Sequence, residues 1–555
     1  MRTNYHKIIL DIEKIIAGDV VYDSKTLEKC SRDASLFTIR PQIVIYPEDK
    51  FDIQAVVKYI KNIKEENPEL SLSLTARAAG TDMSGGPLSD SIIIDTTKYM
   101  HKIFKKNFVP NNLYVECEPG TYFRDLESFL NRYNLMYPSY PASKDLCCVG
   151  GIVANNSSGE KTLLYGSTVD WVEEIEVVLE DGTIHNFKEI SFVELEDIKL
   201  PIYQKIFNLI IENKELIEKE KPQVSKNSSG YYLWSCVDWE KETINLAKLI
   251  CGSQGTFGII TKVKLGLVER KNYSQMLTVL LPDLKNLVPV VNQILKSKPE
   301  SVESFDDHTF KLAMRFLPSI VWKLKGSILQ LGISFLPEVW MALTGGIPRL
   351  ILMAEFTGNT QEEADKKAQL SLSQIKKFPY KSRIAKNKIE SQKYWLFRRE
   401  SFNLLRNKLK GYKVAPFVED LIVPQESTPE FLPALQKILD KNKFTYSIAG
   451  HAGSGNFHIF PMMKLDSENE IKKIKSVNQE VFSLVQKYHG SISAEHNDGL
   501  VRTPYLYFMF SDEMLHLFQQ VKDLFDPLNI FNPGKKVGGS IEHNYSKIEL
   551  TKKHN

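Results

Sequence analysis

The stretch SLSLTARAAGTDMSGGPLSDSIIIDTT, residues 71–97, decides the fold. Its two ends are typical of short β-strands, and a glycine-rich loop at residues 77–86 joins them. The small residues of such a loop allow successive backbone N–H groups to point into one concavity, which binds anions such as a diphosphate. A plain hairpin loop is the alternative. Neither a P-loop nor a G-x-G-x-x-G pattern is present, so those two nucleotide sites are not indicated.

Two further glycine-rich loops follow, within residues 140–183 and 251–267. The first leads into a predicted strand, Val172 to Leu179, and an Asp-Gly turn. The second leads into an alternating strand, Ile259 to Leu267. Three loops, each connected to strands, predict one long ligand that lies across an α+β domain.

The start of the chain is predicted to be helical. The N-terminus, MRTNYHKIILDIEKIIAGDV, has acidic residues among its apolar ones, which indicates an amphipathic helix and not a signal peptide. Further on, PQIVIYP at residues 41–47 predicts a strand, with a helix starting near Asp49.

The composition is that of an ordinary globular protein. The chain has 555 residues, which predicts two to four domains. The formal net charge of +3 does not indicate a nucleic-acid surface. The six cysteines form no C-x-x-C pair, so they indicate no zinc finger, iron–sulfur cluster or disulfide framework. This cysteine usage predicts a reducing, cytoplasmic location.

The most apolar region is residues 316–347. Pro337, Glu338 and two lysines interrupt it, which argues against a membrane span. A buried helical hairpin is favoured, and peripheral contact with a membrane surface is the alternative, because two tryptophans lie among the aliphatic residues. The polar tail after Gly539 is expected to be loose.

The stretch AGHAGSGNFHIF, residues 449–460, places two histidines seven residues apart. On a helix this separation is about 10 Å of rise, and on a flat strand the two side chains face opposite ways. His451 and His458 can share a metal ion only if the chain doubles back between them. The intervening glycines permit that turn. Two ordinary histidines beside a glycine loop remain the alternative.

A second cluster lies in GSISAEHNDGLVR, residues 490–502. Residues 491–496 are predicted to form a short strand, on which Glu495 and His496 face opposite ways. Glu495 is then a candidate third ligand, while His496 points at a different target. Two histidines and a glutamate with an open position are typical of a catalytic metal site.

Seven motifs, in order over residues 35–538, carry a resemblance to a known family. ARAAGTDMSGG, PASKDLCCVGGIVANNSSG, LLYGSTVDWVEEIEVVLEDG and GSQGTFGIITKVKL resemble the FAD domain of the vanillyl-alcohol-oxidase-like flavoproteins. AGHAGSGNFHI, SAEHNDGLVR and FDPLNIFNPGK resemble the D-2-hydroxy acid dehydrogenase branch. That branch includes D-lactate dehydrogenase, the flavin subunit of glycolate oxidase and D-2-hydroxyglutarate dehydrogenase.

The resemblance implies an α+β fold with a two-part PCMH-type FAD-binding domain, an antiparallel-sheet cap domain and C-terminal helices that return to the flavin. The implied segments are an N-terminal helical segment at 1–35, the FAD domain at 36–268, the cap at 269–465, the helical segment at 466–540 and the tail at 541–555.

The resemblance also implies the residues that bind FAD. Non-covalent FAD is expected, because these loops lack the histidine that covalently flavinylated relatives use. The first loop would hold the diphosphate with Ala78, Gly80, Thr81, Asp82, Ser84 and Gly85. The ribityl chain and isoalloxazine ring would lie against Pro141, Ser143, Gly150, Gly151, Asn155, Ser158, Gly159, Gly255, Gly258 and Ile260. Asn532 and Lys535 would close over the flavin, although the same stretch can also cap a helix.

The implied reaction is oxidation of a D-2-hydroxy acid. The family's divalent metal, zinc or a similar ion, would be held by His451, His458 and Glu495, with His496 as the base. In YWLFRRESFNLL, the family's arginine three residues after the tryptophan is Arg398, which would hold the substrate carboxylate. Electrons are expected to pass to a separate acceptor: an iron–sulfur protein, a quinone or a cytochrome.

The sequence departs from the family pattern at five positions. Ser454, Asn497 and Gln254 replace an aspartate, a glycine and a glutamate, changes expected to affect activity or specificity. Ser454 and Asn497 keep open a catalytically silent flavin-binding subunit. A flavin oxidase of another alcohol is the other alternative. Val418 and Phe460 replace a lysine and an asparagine of the hydroxyglutarate subgroup, so a small or apolar substrate side chain is expected.

Overall fold

The computed structural model describes residues 4–315, 346–408 and 412–550. The apolar region predicted as a helical hairpin or membrane-contacting segment lies outside these ranges, apart from its last two residues. Among the described residues, no helix is both long enough and apolar enough to cross a membrane.

The first part of the chain forms a small parallel sheet with one antiparallel edge strand, in the order β1-β2-β4-β3. Helix α3 begins after Asp49, whose carboxylate accepts the N–H groups of Phe51 and Asp52. The elements are α1 Tyr5–Ile12, β1 Asp19–Val21, α2 Ser24–Cys30, β2 Ile43–Tyr46, α3 Lys50–Glu66, β3 Leu74–Arg77 and β4 Ile92–Asp95. The predicted N-terminal helix and the strand before Asp49 are therefore confirmed.

A six-stranded antiparallel sheet follows, in the order β5-β11-β7-β8-β10-β9. The elements of this part of the chain are β5 Tyr114–Cys117, α4 Phe123–Asn131, β6 Leu135–Met136, α5 Val149–Asn155, α6 Thr162–Tyr165, β7 Val172–Val178, β8 Ile184–Ser191, α7 Phe192–Asp197, α8 Pro201–Glu212, α9 Lys214–Glu220, β9 Val237–Asp238, β10 Thr243–Asn245, α10 Leu246–Ile250 and β11 Ile259–Gly266. The predicted alternation holds from Thr261 to Leu265, where half-buried Lys262 and Lys264 alternate with buried residues, and the rest of β11 is buried.

An antiparallel sheet then forms the cap, in the order β16-β13-β15-β14-β19-β20-β17, with β18 also paired to β20. The elements of this part of the chain are β12 Val268–Glu269, β13 Tyr273–Leu281, α11 Leu287–Leu295, β14 Ser301–Asp306, α12 Asp307–Arg315, β15 Leu350–Gly358, α13 Gln361–Ile375, β16 Lys381–Ile384, α14 Lys388–Lys408, β17 Lys413–Val414, β18 Asp420–Ile422, α15 Thr428–Lys441, β19 Thr445–His451 and β20 Asn456–Met463. Strand β12 pairs with β6 in a separate two-stranded sheet. Strands β19 and β20 form its closing hairpin.

The chain ends with helices that return to the first sheet. They are α16 Glu468–Lys487, α17 Gly499–Arg502, α18 Asp512–Phe525 and α19 Ile541–Tyr545. After α18, the N–H of Leu74 donates to the carbonyl of Ile530, and the N–H of Asn532 donates back to the carbonyl of Leu74. This exchange places the C-terminal motif beside the first glycine loop.

The tail from residue 541 to residue 550 is packed, and the expectation of a loose tail is wrong for these residues. Tyr545 and Ile548 are buried, and Ile548 bridges to Phe37. The polar composition of the tail gave no indication that these two apolar side chains are buried, and their burial stabilises the segment against the rest of the protein.

Candidate metal and flavin site

A tight hairpin brings His451 and His458 together. In the β19–β20 register, His451 pairs with Asn456 and Ala449 pairs with His458, so the two histidines are diagonal neighbours on one face. Their ring centroids lie 5.2 Å apart. Gly455 has φ +75°, and a Cβ there would lie 2.3 Å from a neighbouring carbonyl oxygen, so the turn requires glycine.

The segment that carries Glu495 and His496 is a loop. Residues 491–496 do not form the predicted strand. Asp420 Oδ2 accepts the backbone N–H groups of both Glu495 and His496 at 2.8 Å, which folds the chain around that carboxylate. The expectation that the two side chains face opposite ways is therefore wrong, since both point at one centre.

Three imidazoles converge on one carboxylate oxygen. Glu495 Oε1 lies 3.1 Å from His458 Nε2, 3.5 Å from His451 Nε2 and 3.7 Å from His496 Nε2. Ligand atoms of a tetrahedral zinc site, 2.0–2.1 Å from the ion, lie about 3.3 Å apart. The spacing and chemistry of His451, His458 and Glu495 therefore fit a divalent metal.

Carboxylates behind the imidazoles orient two of the rings. Glu303 Oε1 lies 2.7 Å from His451 Nδ1, and Glu419 Oε2 lies 2.6 Å from His496 Nδ1. A carboxylate at Nδ1 holds a ring proton there, so Nε2 of each of these rings faces the centre. His458 Nδ1 is buried without a hydrogen-bond partner, with its nearest carboxylate oxygens at 4.0 Å.

Buried charges of both signs surround the centre. Burial alone would lower the pKa of His496, but Glu419 and Asp420 outweigh it and raise this pKa to about 10. Burial would raise the pKa of Glu495, yet Lys226 and the surrounding histidines hold it well below its ordinary value. Glu495 thus stays ionised and presents a negative oxygen to the three imidazoles.

The substrate-carboxylate candidate, Arg398, reaches this centre through Glu303. Arg398 lies on α14, as the sequence predicts, and its Nη2 pairs with Glu303 Oε2. The other oxygen of Glu303 contacts His451. One buried carboxylate therefore contacts both the arginine and a candidate metal ligand.

Sequence reasoning missed four charged residues around the centre. They are Lys226, Glu303, Glu419 and Asp420. A small cleft lies beside Lys226 and Glu303, and its lining also includes His451 and Gly159. Gly159 belongs to the second glycine loop, so the cleft adjoins both a candidate metal ligand and a predicted flavin-binding loop.

A hydrogen-bond network joins the three glycine loops and the C-terminal motif. Asp82 accepts from Ser84 Oγ and from Asn155 Nδ2 at 3.2 Å. Gln254 Nε2 donates to Ser84 Oγ at 3.2 Å. Asn532 Nδ2 donates to the carbonyl of Gln254 at 2.7 Å. The predicted cofactor residues Asp82, Ser84, Asn155 and Asn532 are thus brought together, with Gln254 at the junction.

Two glycines of these loops have room for a side-chain atom. A Cβ at Gly151 would meet only Ala78, at 3.9 Å, and a Cβ at Gly255 would come no closer than 3.7 Å to any atom. Gly80 and Gly85 adopt φ of +68° and +86°, which the first loop requires. Three other predicted glycines pack tightly against neighbouring atoms: Gly150, Gly159 and Gly258.

The remaining predicted cofactor residues differ in their surroundings. Ile260 is buried in the apolar core, and Ser158 Oγ donates to Ser167 Oγ at 2.8 Å. Lys535 Nζ donates to the carbonyl of Leu88, and burial lowers the pKa of this lysine to about 8. Thr81, Pro141 and Ser143 are half-buried.

Asn497 connects the candidate metal ligands to the flavin loops. It has φ +68°, which asparagine tolerates, and its Nδ2 donates to the carbonyls of Asn155 at 3.1 Å and Gly252 at 2.9 Å. Ser454, the departure in the hairpin turn, donates its hydroxyl to the carbonyl of His451 at 3.0 Å. Both departures therefore have a local structural role.

Two family models match the chain. The FAD binding domain matches residues 41–188, and the C-terminal domain of FAD linked oxidases matches residues 270–536. The first range contains the first two glycine loops, and the second contains all the candidate metal ligands.

Curated relatives are similar over almost the whole chain. D-2-hydroxyglutarate dehydrogenase of Haemophilus influenzae is 25% identical over 536 residues, which are 93% of this chain and 50% of the relative. The chain spans about half the length of that protein. D-lactate dehydrogenase of Anaerostipes hadrus is 26% identical over 532 residues, 94% of each chain.

Solved structures share the fold at low sequence identity. 4-Ethylphenol oxidase from Gulosibacter chungangensis has a TM-score of 0.68 at 14% identity and covers 97% of this chain and 98% of its own. p-Cresol methylhydroxylase has a TM-score of 0.68 at 16% identity, and the match covers 96% of this chain and 97% of that protein. The predicted PCMH-type fold is therefore confirmed. The two matching domain models show that the chain belongs to the FAD-linked oxidases.

Proposed function

We propose that this protein oxidises a D-2-hydroxy acid to the 2-oxo acid, using non-covalent FAD and a divalent metal, with zinc as the expected ion. The observation that carries the proposal is the convergence of three imidazole Nε2 atoms on Glu495 Oε1. Asn497 joins this centre directly to the flavin loops. Oxidation of a 2-hydroxy acid requires both a site that binds its hydroxyl group and a nearby hydride acceptor.

Each group has a distinct task in this reaction. FAD bound along the glycine loops would supply the hydride acceptor for the substrate carbon. His451, His458 and Glu495 would hold a divalent cation, whose positive charge would lower the pKa of both the substrate hydroxyl and the His496 imidazolium. His496 Nε2 then takes the hydroxyl proton, while Glu419 holds the opposite side of its ring.

Arg398 is the proposed anchor for the substrate carboxylate. Its guanidinium offers several N–H donors in a fork, and Glu303 holds one of its terminal nitrogens close to His451. A substrate bound there would have its carboxylate and hydroxyl groups on neighbouring residues, as a 2-hydroxy acid requires.

The proposed substrate side chain is small or apolar, as in D-lactate. Phe460 lies two residues after His458 on β20, and the two rings are stacked with centroids 6.3 Å apart. Val418 is fully buried in the apolar core, so the preference rests on Phe460. The two relatives are named for different hydroxy acids, D-2-hydroxyglutarate and D-lactate. Their sequence identities to this chain, 25% and 26%, are too similar to favour either substrate.

We propose a separate electron acceptor, an iron–sulfur protein, a quinone or a cytochrome. All six cysteines are buried and free, and none belongs to a described group that could hold a metal. These residues therefore offer no second redox centre to receive electrons from the flavin. Free cysteines also support the proposal of a reducing, cytoplasmic location.

Anaerobic bleaching of the bound flavin tests the proposal. The FAD-loaded protein, supplied with Zn²⁺, would be mixed with D- and L-lactate, glycolate, D-2-hydroxyglutarate and longer D-2-hydroxy acids. We expect loss of flavin absorbance with D-acids and none with L-lactate. The acid that bleaches fastest identifies the preferred side chain.

Two other outcomes would replace the proposal. Bleaching by a different alcohol, followed by peroxide formation in air, would establish an oxidase. No bleaching by any of these acids, with FAD and metal bound, would contradict the proposed reaction and favour a silent flavin-binding subunit.

A further inference from the structure

A six-residue strap, residues 225–230, lies against the loop that carries Glu495. Ser228 uses both its N–H and its hydroxyl group, donating to the carbonyls of Ser493 and Ala494 at 3.0 Å each. The strap lies more than 260 residues before that loop in sequence, and no motif in the chain predicts the contact.

Lys226 extends from this strap to Glu495. Its Nζ lies 2.5 Å from Glu495 Oε2, and the lysine side chain is only 1% exposed. The other oxygen, Oε1, faces the imidazoles of His451, His458 and His496. The two oxygens of one carboxylate therefore have different partners.

We propose that Lys226 is a positioning residue that restricts Glu495 to one-oxygen coordination of a cation and moderates how tightly that cation is held. The inference rests on the proposed function, because it assumes a divalent cation at this centre. While the ammonium holds Oε2, only Oε1 is available as a ligand. Coordination positions then stay open for the hydroxy acid.

The charge of Lys226 has a second effect. A buried ammonium close to a divalent cation repels it, because little water lies between them to screen the charges. Removal of that charge should tighten cation binding. It should also free Oε2, so that Glu495 can coordinate with both oxygens.

The test compares FAD-loaded, metal-free wild type with Lys226→Met, Lys226→Gln and Lys226→Arg. Zn²⁺ affinity would be measured by competition with a chelating dye. Co²⁺ would report coordination number through its visible bands beyond the flavin absorption. Lys144→Met is the matched control, because it breaks another Lys–Glu pair, with Glu127 at 2.9 Å.

We expect Lys226→Met to bind Zn²⁺ about tenfold more tightly or better than wild type, since a like charge is removed from a buried site. Its Co²⁺ bands should weaken, as a higher coordination number requires. Lys226→Gln should also bind more tightly, and it serves if the methionine variant does not fold. Lys226→Arg and Lys144→Met should resemble wild type.

The inference is overturned if wild type binds Zn²⁺ and the neutral variants show unchanged or weaker affinity with an unchanged Co²⁺ spectrum. That result would leave the proposed function standing. Failure of wild type itself to bind either ion would overturn this inference together with the metal-dependent part of the proposed function.

Discussion

Two groups of acidic residues and histidines in this protein have similar composition and spacing but differ in how their side chains are arranged. His451, His458 and Glu495 place their ligand atoms within 4.8 Å of one another, and so do Asp306, Asp307 and His308. The second group consists of consecutive residues, and the side chain of His308 is 36% exposed.

The difference lies in how the imidazole rings are oriented. Both groups contain ion pairs: Asp307 pairs with Lys311 and Arg349, while Glu495 pairs with Lys226 and Glu303 pairs with Arg398. In the His451–His458–Glu495 centre, the imidazole Nε2 atoms face one carboxylate oxygen, and carboxylates behind the rings hold the Nδ1 atoms of two of them. Ring orientation therefore distinguishes a candidate metal site from an ion-pair cluster.

The largest expected effect is that of His496→Ala. Without its general base, kcat should fall roughly 10²–10⁴-fold, as measured by flavin reduction under anaerobic conditions. FAD content and Zn²⁺ binding should be retained, because neither is assigned to this side chain. His308→Ala is the matched control and should leave kcat within about twofold of wild type, the range of a site away from the chemistry. Equal losses of kcat in His496→Ala and His308→Ala would contradict the assignment of His496, and not His308, to the active site.

Glu303→Gln should weaken Zn²⁺ binding by about 10–100-fold, because the carboxylate that orients His451 is lost. It should also raise KM for the hydroxy acid, since Arg398 loses its ion pair. Asp307→Asn, the corresponding change in the other cluster, should leave the Zn²⁺ dissociation constant unchanged. A Glu303→Gln protein with wild-type Zn²⁺ affinity would refute the orienting role.

Asn497→Gly should lower the free energy of unfolding by about 1–2 kcal/mol, because two buried hydrogen bonds to the flavin loops are removed. Glycine tolerates the positive φ at this position, so backbone strain does not contribute. Urea unfolding of the FAD-loaded protein measures the change. An unchanged midpoint would show that Asn497 does not hold the two regions together.

The smallest expected effect concerns His308 and pH. The carboxylates of Asp306 and Asp307, 3.3 Å and 3.4 Å from His308 Nδ1, raise the pKa of His308 from 6.5 to about 9. The resulting stabilisation is fully present below pH 6.5 and is lost as pH rises through 9. His308→Gln should therefore cost stability at pH 6, by about 1 kcal/mol or less because the ring is partly exposed, and nothing at pH 10. A loss of equal size at both pH values would contradict this assignment.

The local parts of the site could be predicted from the sequence. The glycines between His451 and His458 predict a doubled-back chain, and the three loops predict one long ligand. These signals lie within short stretches, where turn chemistry and side-chain periodicity act.

The partners of the site could not be predicted, because they are distant in sequence. Glu303 is 148 residues from His451, and Lys226 is 269 residues from Glu495. The sequence predicted a short strand at residues 491–496, but the carboxylate of Asp420 accepts two consecutive N–H groups there and turns the chain into a loop. Local patterns contain no information about such a contact.

The most direct test of the account is whether flavin reduction requires the metal. The rate of anaerobic flavin bleaching by the best D-2-hydroxy acid would be measured before chelation, after chelation and after the return of Zn²⁺. We expect chelation to abolish bleaching while FAD stays bound, and Zn²⁺ to restore it. Undiminished bleaching in metal-free protein would contradict the assignment of His451, His458 and Glu495 as catalytic metal ligands.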